Sequence, residues 1–580
     1  MRLSYVFSTL ADTRKILKKV LEQSQKQKKE ETNMMRNKLW ERGITGLAAA
    51  AMCLSGMTVQ AAEKDIYTEA GTFPIVTEPI TLKIFAPQPA HLIDYNTNEF
   101  TAYLEELTGI DLEFETMPMD VAQEKMNLTM NSGDLPDAFL VTYSGAVPDE
   151  TKFGIEEGSL IDLTDLIETK MPNVKKLLED KDGLREKITA LDGKIYNLPY
   201  FNEAYHMTMN HKMWVNTHLL EEMGAEVPKT TEEFYNLCKK YKEQYPDGIP
   251  VLGENDGTGD PTDFLINAFT YYPGDAAPHE MVVKDGVVST VANTEGYREG
   301  LRYVRKLFEE GLIYEGAFTL DREQAKALIA SEGEPVLFIP SYATVSLIDS
   351  ANNPELYSHY YPIEPLTGPN GAQYSIYVPT GTTPTFAITS ACQYPEAAAR
   401  LVDYLYSFDG VMNAQWGVKG PETWGDAKEG DVGISGEPAL CTVYRQYSLE
   451  PQNVNWQDCG INFWPSEYRL GQTTDPNVDL FSSEGLETLL YRATHDLYEP
   501  HKPKDIMTLP TDLKLTAEEA ENIQTISVEV SNYCKQCKVQ FITGAMDLDS
   551  DWDTYVEGLE NMGMNELLDV YQVAYDRIYK

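Results

Sequence analysis

Between Ile80 and Thr142 the apolar period switches repeatedly between two and about 3.6 residues, and this restricts the fold more than any other stretch. Ile80, Leu82, Ile84 and Ala86 alternate along one strand face. Phe100, Tyr103, Leu104 and Leu107 then fall at helical spacing, with Gly109 as the stop. Asp111–Thr116 reads as a second strand, Val121–Met130 as a second helix and Phe139–Thr142 as a third strand. Strand, helix, strand, helix, strand indicates an α/β unit with mostly parallel pairing. Ligands of open α/β sheets sit beyond the carboxyl ends of the strands, which here selects Thr142, Tyr143 and Ser144.

The run Asp192–Trp214 marks a change of unit. Asp192-Gly193 is a tight turn, since Gly accepts positive φ and Asp bonds its own backbone. Ile195–Tyr200 is extended, but Pro199 lacks a ladder donor and argues against a central strand. The half-apolar stretch up to Trp214 is a crossing segment that enters a second globular unit. There, Val215, Leu219 and Met223 share one helix face that Gly224 ends. Thr230-Thr-Glu-Glu233 is a capping box in front of Phe234, Leu237, Cys238 and Tyr241. Tyr297, Leu301, Val304 and Phe308 line another helix, and Pro335–Pro340 is a buried strand. Asn352–Gly381 reads as a surface loop region, followed by a strand at Thr385–Ile388 and a helix from Pro395. Near the end, Gly563 separates two helices, the second with Leu567, Tyr571, Ala574 and Ile578 on one face.

The 580 residues suffice for two or three domains, and the formal net charge is −44. Residues 1–61 carry 11 basic and 5 acidic side chains, leaving 36 against 86 in the remainder. So acidic a chain repels nucleic acid and anionic membrane faces. Residues 1–33 are a Lys- and Gln-rich extension or a misassigned start. Residues 34–61 have the form of a signal peptide: basic Arg36, Lys38 and Arg42, an apolar Ile44–Val59, and a cleavage site before Ala62. Seven irregularly spaced cysteines do not form a disulfide scaffold, and Cys534-Lys-Gln-Cys537 is a lone pair on one helical turn. Phosphate loops, HExxH and GxSxG are absent, and neither a metal nor a cofactor is assigned. Asp547-Leu-Asp-Ser-Asp551 starts like an EF-hand, but Trp552 stands where its Gly belongs, so helix capping is the better reading.

Several runs resemble the extracellular solute-binding proteins, family 1, the substrate-capture subunits of ABC importers. They are Ser132–Asp137, Asp192–Pro199, Leu219–Phe234, Asn293–Ile313, the Trp416-Gly417 turn and the C-terminal stretch from Phe541. The resemblance implies an α/β fold of the two-lobed, periplasmic-binding-protein-like type II, with the ligand cleft between the lobes. It implies no enzyme, but a monomer that takes an extracellular sugar or oligosaccharide and delivers it to ABC permease subunits by hinge closure. It divides the chain into a first lobe over 62–197, a second over 198–384, a return over 385–420 and completing loops and helices over 421–580. The calcium loop of some relatives is not carried over, because Pro246–Asp260 lacks the alternating acidic ligands. Cys53 follows Met52 instead of the small residue expected before a lipidated cysteine, which leaves anchored and released forms open. Candidate polar contacts are Asp137, Tyr143 and Asn202. Candidate stacking faces are Trp416, Trp424, Trp456, Trp464, Tyr374 and Tyr377, since an aromatic ring matches the apolar face of a sugar. A peptide-binding importer subunit, an exported glycosidase and a sensory or adhesive surface protein of the same fold are the alternative readings.

Overall fold

This computed structural model describes residues 66–580, except 182, 256, 332–334, 351, 380, 446 and 449. The N-terminal extension and the export signal, Cys53 included, lie outside the described residues.

The chain first lays down β1 (Ile80–Gln88), β2 (Ile110–Pro118) and β3 (Ala138–Leu140), all parallel. Helices Glu99–Thr108 and Ala122–Ser132 connect them. Asn98 caps the first through Phe100 N–H, and Gly109 ends it in the left-handed region. β4 (Asn197–Asn202) follows the Asp192-Gly193 turn, and a 3-10 turn at Tyr205–Met209 then carries the chain away.

The second lobe holds β5 (Lys212–Asn216), β6 (Ile249–Val251), β7 (Met281–Lys284), β8 (Val287–Thr290), β9 (Val336–Ser341) and β10 (Tyr360–Ile363). The chain returns through β11 (Thr383–Ile388), wraps the first lobe with β12 (Trp424–Asp426), β13 (Cys441–Val443) and β14 (Phe463–Trp464), then crosses again. β15 (Ile506–Thr508) and helices Ala517–Thr543, Trp552–Asn561 and Met564–Tyr579 complete the second lobe. Three crossings therefore join the lobes. The first-lobe sheet runs β14-β4-β11-β3-β1-β2 and the main second-lobe sheet β10-β5-β9-β6. Separate apolar clusters fill each lobe, one around Leu82, Phe100 and Trp456 and another around Phe234, Leu301 and Phe541.

Pro199 proves compatible with a strand inside this sheet. β4 has neighbours on both sides, but β14 pairs only with Phe201 and Asn202, beyond the proline. On the other side Pro199 faces Pro384, and the register shifts between Pro384 and Phe386. Two residues without N–H groups oppose each other where two crossings leave the sheet, so no ladder donor is lost there. Asn352–Gly381 is likewise more ordered than a loop region, containing helix Pro354–Ser358 and β10.

Candidate functional site

β1, β2, β3, β4 and β14 run the same way, so their carboxyl ends form one edge of the first-lobe sheet. Residues 457–462 lie against that edge. Thr385 Oγ1 donates to Thr142 O at 3.0 Å, and Gly460 N–H donates to Thr142 Oγ1 at 3.1 Å. A ring nitrogen of His91, beyond β1, bonds Gln457 O at 2.9 Å. Thr142, Gln457, Asp458 and Asn462 all have positive φ, at 52°, 32°, 59° and 47°. Non-glycine residues held in this region mark places where the fold imposes a conformation, and such places concentrate at ligand sites.

The imposed loop presents polar groups. Asp458 Oδ1 accepts from Gln415 Nε2 at 3.0 Å and Oδ2 from Tyr447 OH at 2.8 Å. Tyr447 is 53% exposed, and its hydroxyl ties it to the loop. Among the described residues, Asn462 Oδ1 and Trp416 Nε1 are buried without a hydrogen-bond partner. Native interiors rarely leave such atoms unpaired, and hydroxyls of a ligand would suit both. At the end of β4, Asn202 Nδ2 donates to Tyr200 OH at 3.0 Å, and Asn202 Oδ1 accepts from Ala204 N–H at 2.9 Å. Burial raises the Tyr200 phenol, keeping it a neutral hydroxyl.

The crossings beneath are held by charge. Arg469 Nε lies 2.9 Å from Glu487 Oε2. Burial opposes ionisation of Glu487, but Arg469 outweighs it and holds the carboxyl down at about 2. His206 Nδ1 is 3.8 Å from Glu487, yet burial dominates and depresses the imidazole to about 3.

Beside this edge, residues 145–153 and 197–199 of the first lobe face residues 512–514 of the second across a groove of about 550 Å³. That size falls within the range of small-molecule sites. Four of its charged side chains pair between the lobes. Lys187 meets Asp512 at 3.0 Å, and Lys514 meets Glu150 at 2.7 Å and Thr189 O at 2.7 Å.

The structure relocates most of the residues selected from sequence. Trp424 is 0% exposed, its N–H donated to Asn413 Oδ1 at 3.0 Å. Trp456 is 1% exposed, bonded to Thr101 Oγ1 at 2.9 Å and edge-on to Phe100 at 5.0 Å. Trp464 lies in β14 at 5% exposure. All three are core residues of the first lobe, because the wrapping segment 413–464 is irregular and needs large rings to exclude water. Asp137 stands at the amino end of β3, where its Oδ2 accepts from Lys83 N–H at 2.8 Å, so it belongs to the edge opposite the site. Tyr374 and Tyr377 pack on the second-lobe core, and Lys502 Nζ covers one face of Tyr377 at 3.4 Å. Asn202 and the backbone of Tyr143, in the 3-10 turn Thr142–Ser144, remain beside the strand-end edge, while Trp416 ends helix Phe408–Trp416 and packs half-buried against the first-lobe core. Sequence reading did not single out Tyr200, Tyr447, Asp458 or Asn462, which the structure places along this edge, nor Arg469 beneath it. A usable signal was the density of Tyr, Gln, Asn and Asp between Tyr444 and Asn462.

Cys534 and Cys537 face the core of helix Ala517–Thr543, where burial raises both thiols and leaves them poor nucleophiles. Asp547 Oδ1 accepts from Asp549 and Ser550 N–H, each at 3.0 Å, so this run is a turn leading into helix Trp552–Asn561.

The sequence profile of the bacterial extracellular solute-binding proteins matches residues 93–412. The chain belongs to that family. It is 28% identical over 561 residues to the fructooligosaccharide ABC transporter substrate-binding protein FusA of Streptococcus pneumoniae, covering 92% of this chain and 96% of the relative. It is 22% identical to the polygalacturonan/rhamnogalacturonan-binding protein YtcQ of Bacillus subtilis, covering 81% and 87% of the two chains. Among solved structures, FusA in complex with kestose aligns with a TM-score of 0.65 at 24% identity, over 86% of this chain and 99% of that one. An HMO-binding, ABC-transporter-associated solute-binding protein from Bifidobacterium longum infantis aligns with a TM-score of 0.71 at 19% identity, over 87% and 100%. These likenesses fix the fold as periplasmic-binding-protein-like. Among the described residues, no helix is long and apolar enough to cross a membrane.

Proposed function

We propose that this family member captures an extracellular oligosaccharide between its lobes and hands it to an ABC permease, making and breaking no bond. The names of the relatives support the ligand class. The observation in this chain that carries the reading is the strained edge at Thr142 and 457–462. It offers neutral hydroxyl, amide and aromatic groups and little unpaired charge, which suits a neutral polyol. Closing about the three crossings would bring the second lobe onto a ligand seated there, and differential affinity for the closed form would drive the shift.

The test is calorimetric titration with fructooligosaccharides, milk-type oligosaccharides and short peptides. One glycan series should bind saturably and be recovered uncleaved after long incubation. Tyr447→Ala and Asp458→Asn should weaken that binding at least about tenfold, the worth of roughly 1.4 kcal/mol, with unchanged melting temperature. Binding of peptides alone would replace the ligand class. Cleavage of the glycan would replace the non-enzymatic reading. Unchanged affinity in both variants would move the site away from this edge.

A further inference from the structure

We propose that His211, Asp263 and Asp275 of the second lobe bind one divalent transition-metal ion of the zinc type. This site is separate from the strand-end edge and does not depend on what the protein captures. The three residues come from different elements: the entry to β5, helix Pro261–Ile266 and the 3-10 turn Gly274–Ala276. Their ligand atoms all lie within 4.8 Å of one another. His211 Nε2 stands 3.0 Å from Asp275 Oδ1 and 3.2 Å from Asp263 Oδ2. Tetrahedral ligands at about 2.0 Å from zinc are themselves roughly 3.3 Å apart. Two edges of such a tetrahedron are therefore nearly in place. One imidazole and two carboxylates are borderline donors that suit zinc. The Asp275 side chain is 52% exposed, which leaves a path for the ion and room for water as the fourth ligand.

The buried carboxylate supplies the second argument. The Asp263 side chain is 4% exposed, and among the described residues it has no hydrogen-bond donor other than this imidazole. That imidazole nitrogen bears at most one hydrogen, and it is bonded to Asp275. The nearby ammonium of Lys538 is taken up by Asp260 at 2.8 Å and Thr262 Oγ1 at 3.3 Å. Asp263 and Asp275 thus bring two negative charges to one imidazole ring, which can carry at most a single positive charge, and a buried carboxylate needs a counter-charge. A divalent ion balances both. The backbone is shaped to the same point. Gly274 has φ +58°, and a Cβ there would sit 2.5 Å from Asp263 Oδ2, so only glycine lets the turn close on this carboxylate. A bound ion would fix the place where the crossing from the first lobe enters the second.

The experiment takes the full chain, strips it with EDTA, dialyses it and titrates it with zinc chloride. Expected are one tightly held zinc per chain by elemental analysis and a clear rise in melting temperature. Asp275→Asn, at a half-exposed position, and His211→Gln should each abolish both signals, while Tyr447→Ala should keep them. No zinc uptake would overturn the proposal and leave a protonated imidazole as the counter-charge. Equal uptake by both ligand variants would also overturn it.

Discussion

His206 is a base buried in a crossing, and its burial makes a pH prediction. Its folded pKa, depressed to about 3 by desolvation, lies below the ordinary value near 6.5. The unfolded chain then binds the proton more readily, so stability falls as pH drops through 6.5 and goes on falling towards 3. At pH 5 the loss is about 2 kcal/mol from this group. His206→Gln should melt with a smaller difference between pH 7 and pH 5 than the parent chain, and an equal difference would refute the account. Trp456 gives a second test at this scale. Trp456→Ala should destabilise the first lobe by about 3–5 kcal/mol in urea unfolding, whereas a stacking role would cost affinity and leave stability unchanged. These residues also show where the sequence stops informing. A Trp in an irregular segment reads as a ligand platform or as loop packing, and only burial decides: Trp424, Trp456 and Trp464 are enclosed in the core, while Trp416 packs half-buried against it with its N–H unpaired among the described residues. Tyr447 and Asp458 belong together through a hydrogen bond, and neither residue type alone announces it.

Elements were legible wherever local chemistry is self-contained. The capping box at Thr230 is present in full, with Glu233 N–H donating to Thr230 Oγ1 at 3.1 Å and Glu233 Oε2 accepting from Thr230 N–H at 3.2 Å. Thr230→Ala should cost about 1 kcal/mol in chemical denaturation, and the loss should be nearly recovered by Thr230→Ser. The strands and helices between Ile80 and Leu140 also follow the periodicity closely. What failed was partner-dependent. β4 is interior despite Pro199 because its outer neighbour starts beyond the proline, a fact set some 260 residues away. β6 is only Ile249–Val251, too short for any periodic signal, and β10 lay hidden in a Pro- and Tyr-rich stretch. Helix Ala517–Thr543 is 27 residues long, yet its apolar stripe of Ile523, Val530, Cys534, Cys537 and Phe541 is thin enough to escape notice.

At the scale of the molecule, the two-lobed plan follows from three crossings, and the paired charges across the groove make its motion testable. Lys187–Asp512 and Glu150–Lys514 join the first lobe to the segment after β15, with every side chain less than 20% exposed. Pairs this buried are weakly screened by salt, and removing one partner leaves an uncompensated charge. Replacing both first-lobe partners, in Glu150→Gln/Lys187→Met, leaves Asp512 and Lys514 free to pair with each other on one segment. Both ion pairs between the lobes are then lost without stranding a charge, and only the Lys514–Thr189 O hydrogen bond of this set remains. If capture proceeds by closure, the free chain's angular preference and its ligand affinity are linked, and a coupling of 1–3 kcal/mol moves affinity about 5–150-fold. A variant whose free state is more open by X-ray scattering must bind more weakly, since ligand binding now has to supply the closing energy. A variant that is more closed must bind more tightly. A changed radius of gyration with unchanged affinity would separate the groove from capture and confine binding to one lobe. An affinity change with no change in shape would place the charges against the ligand itself.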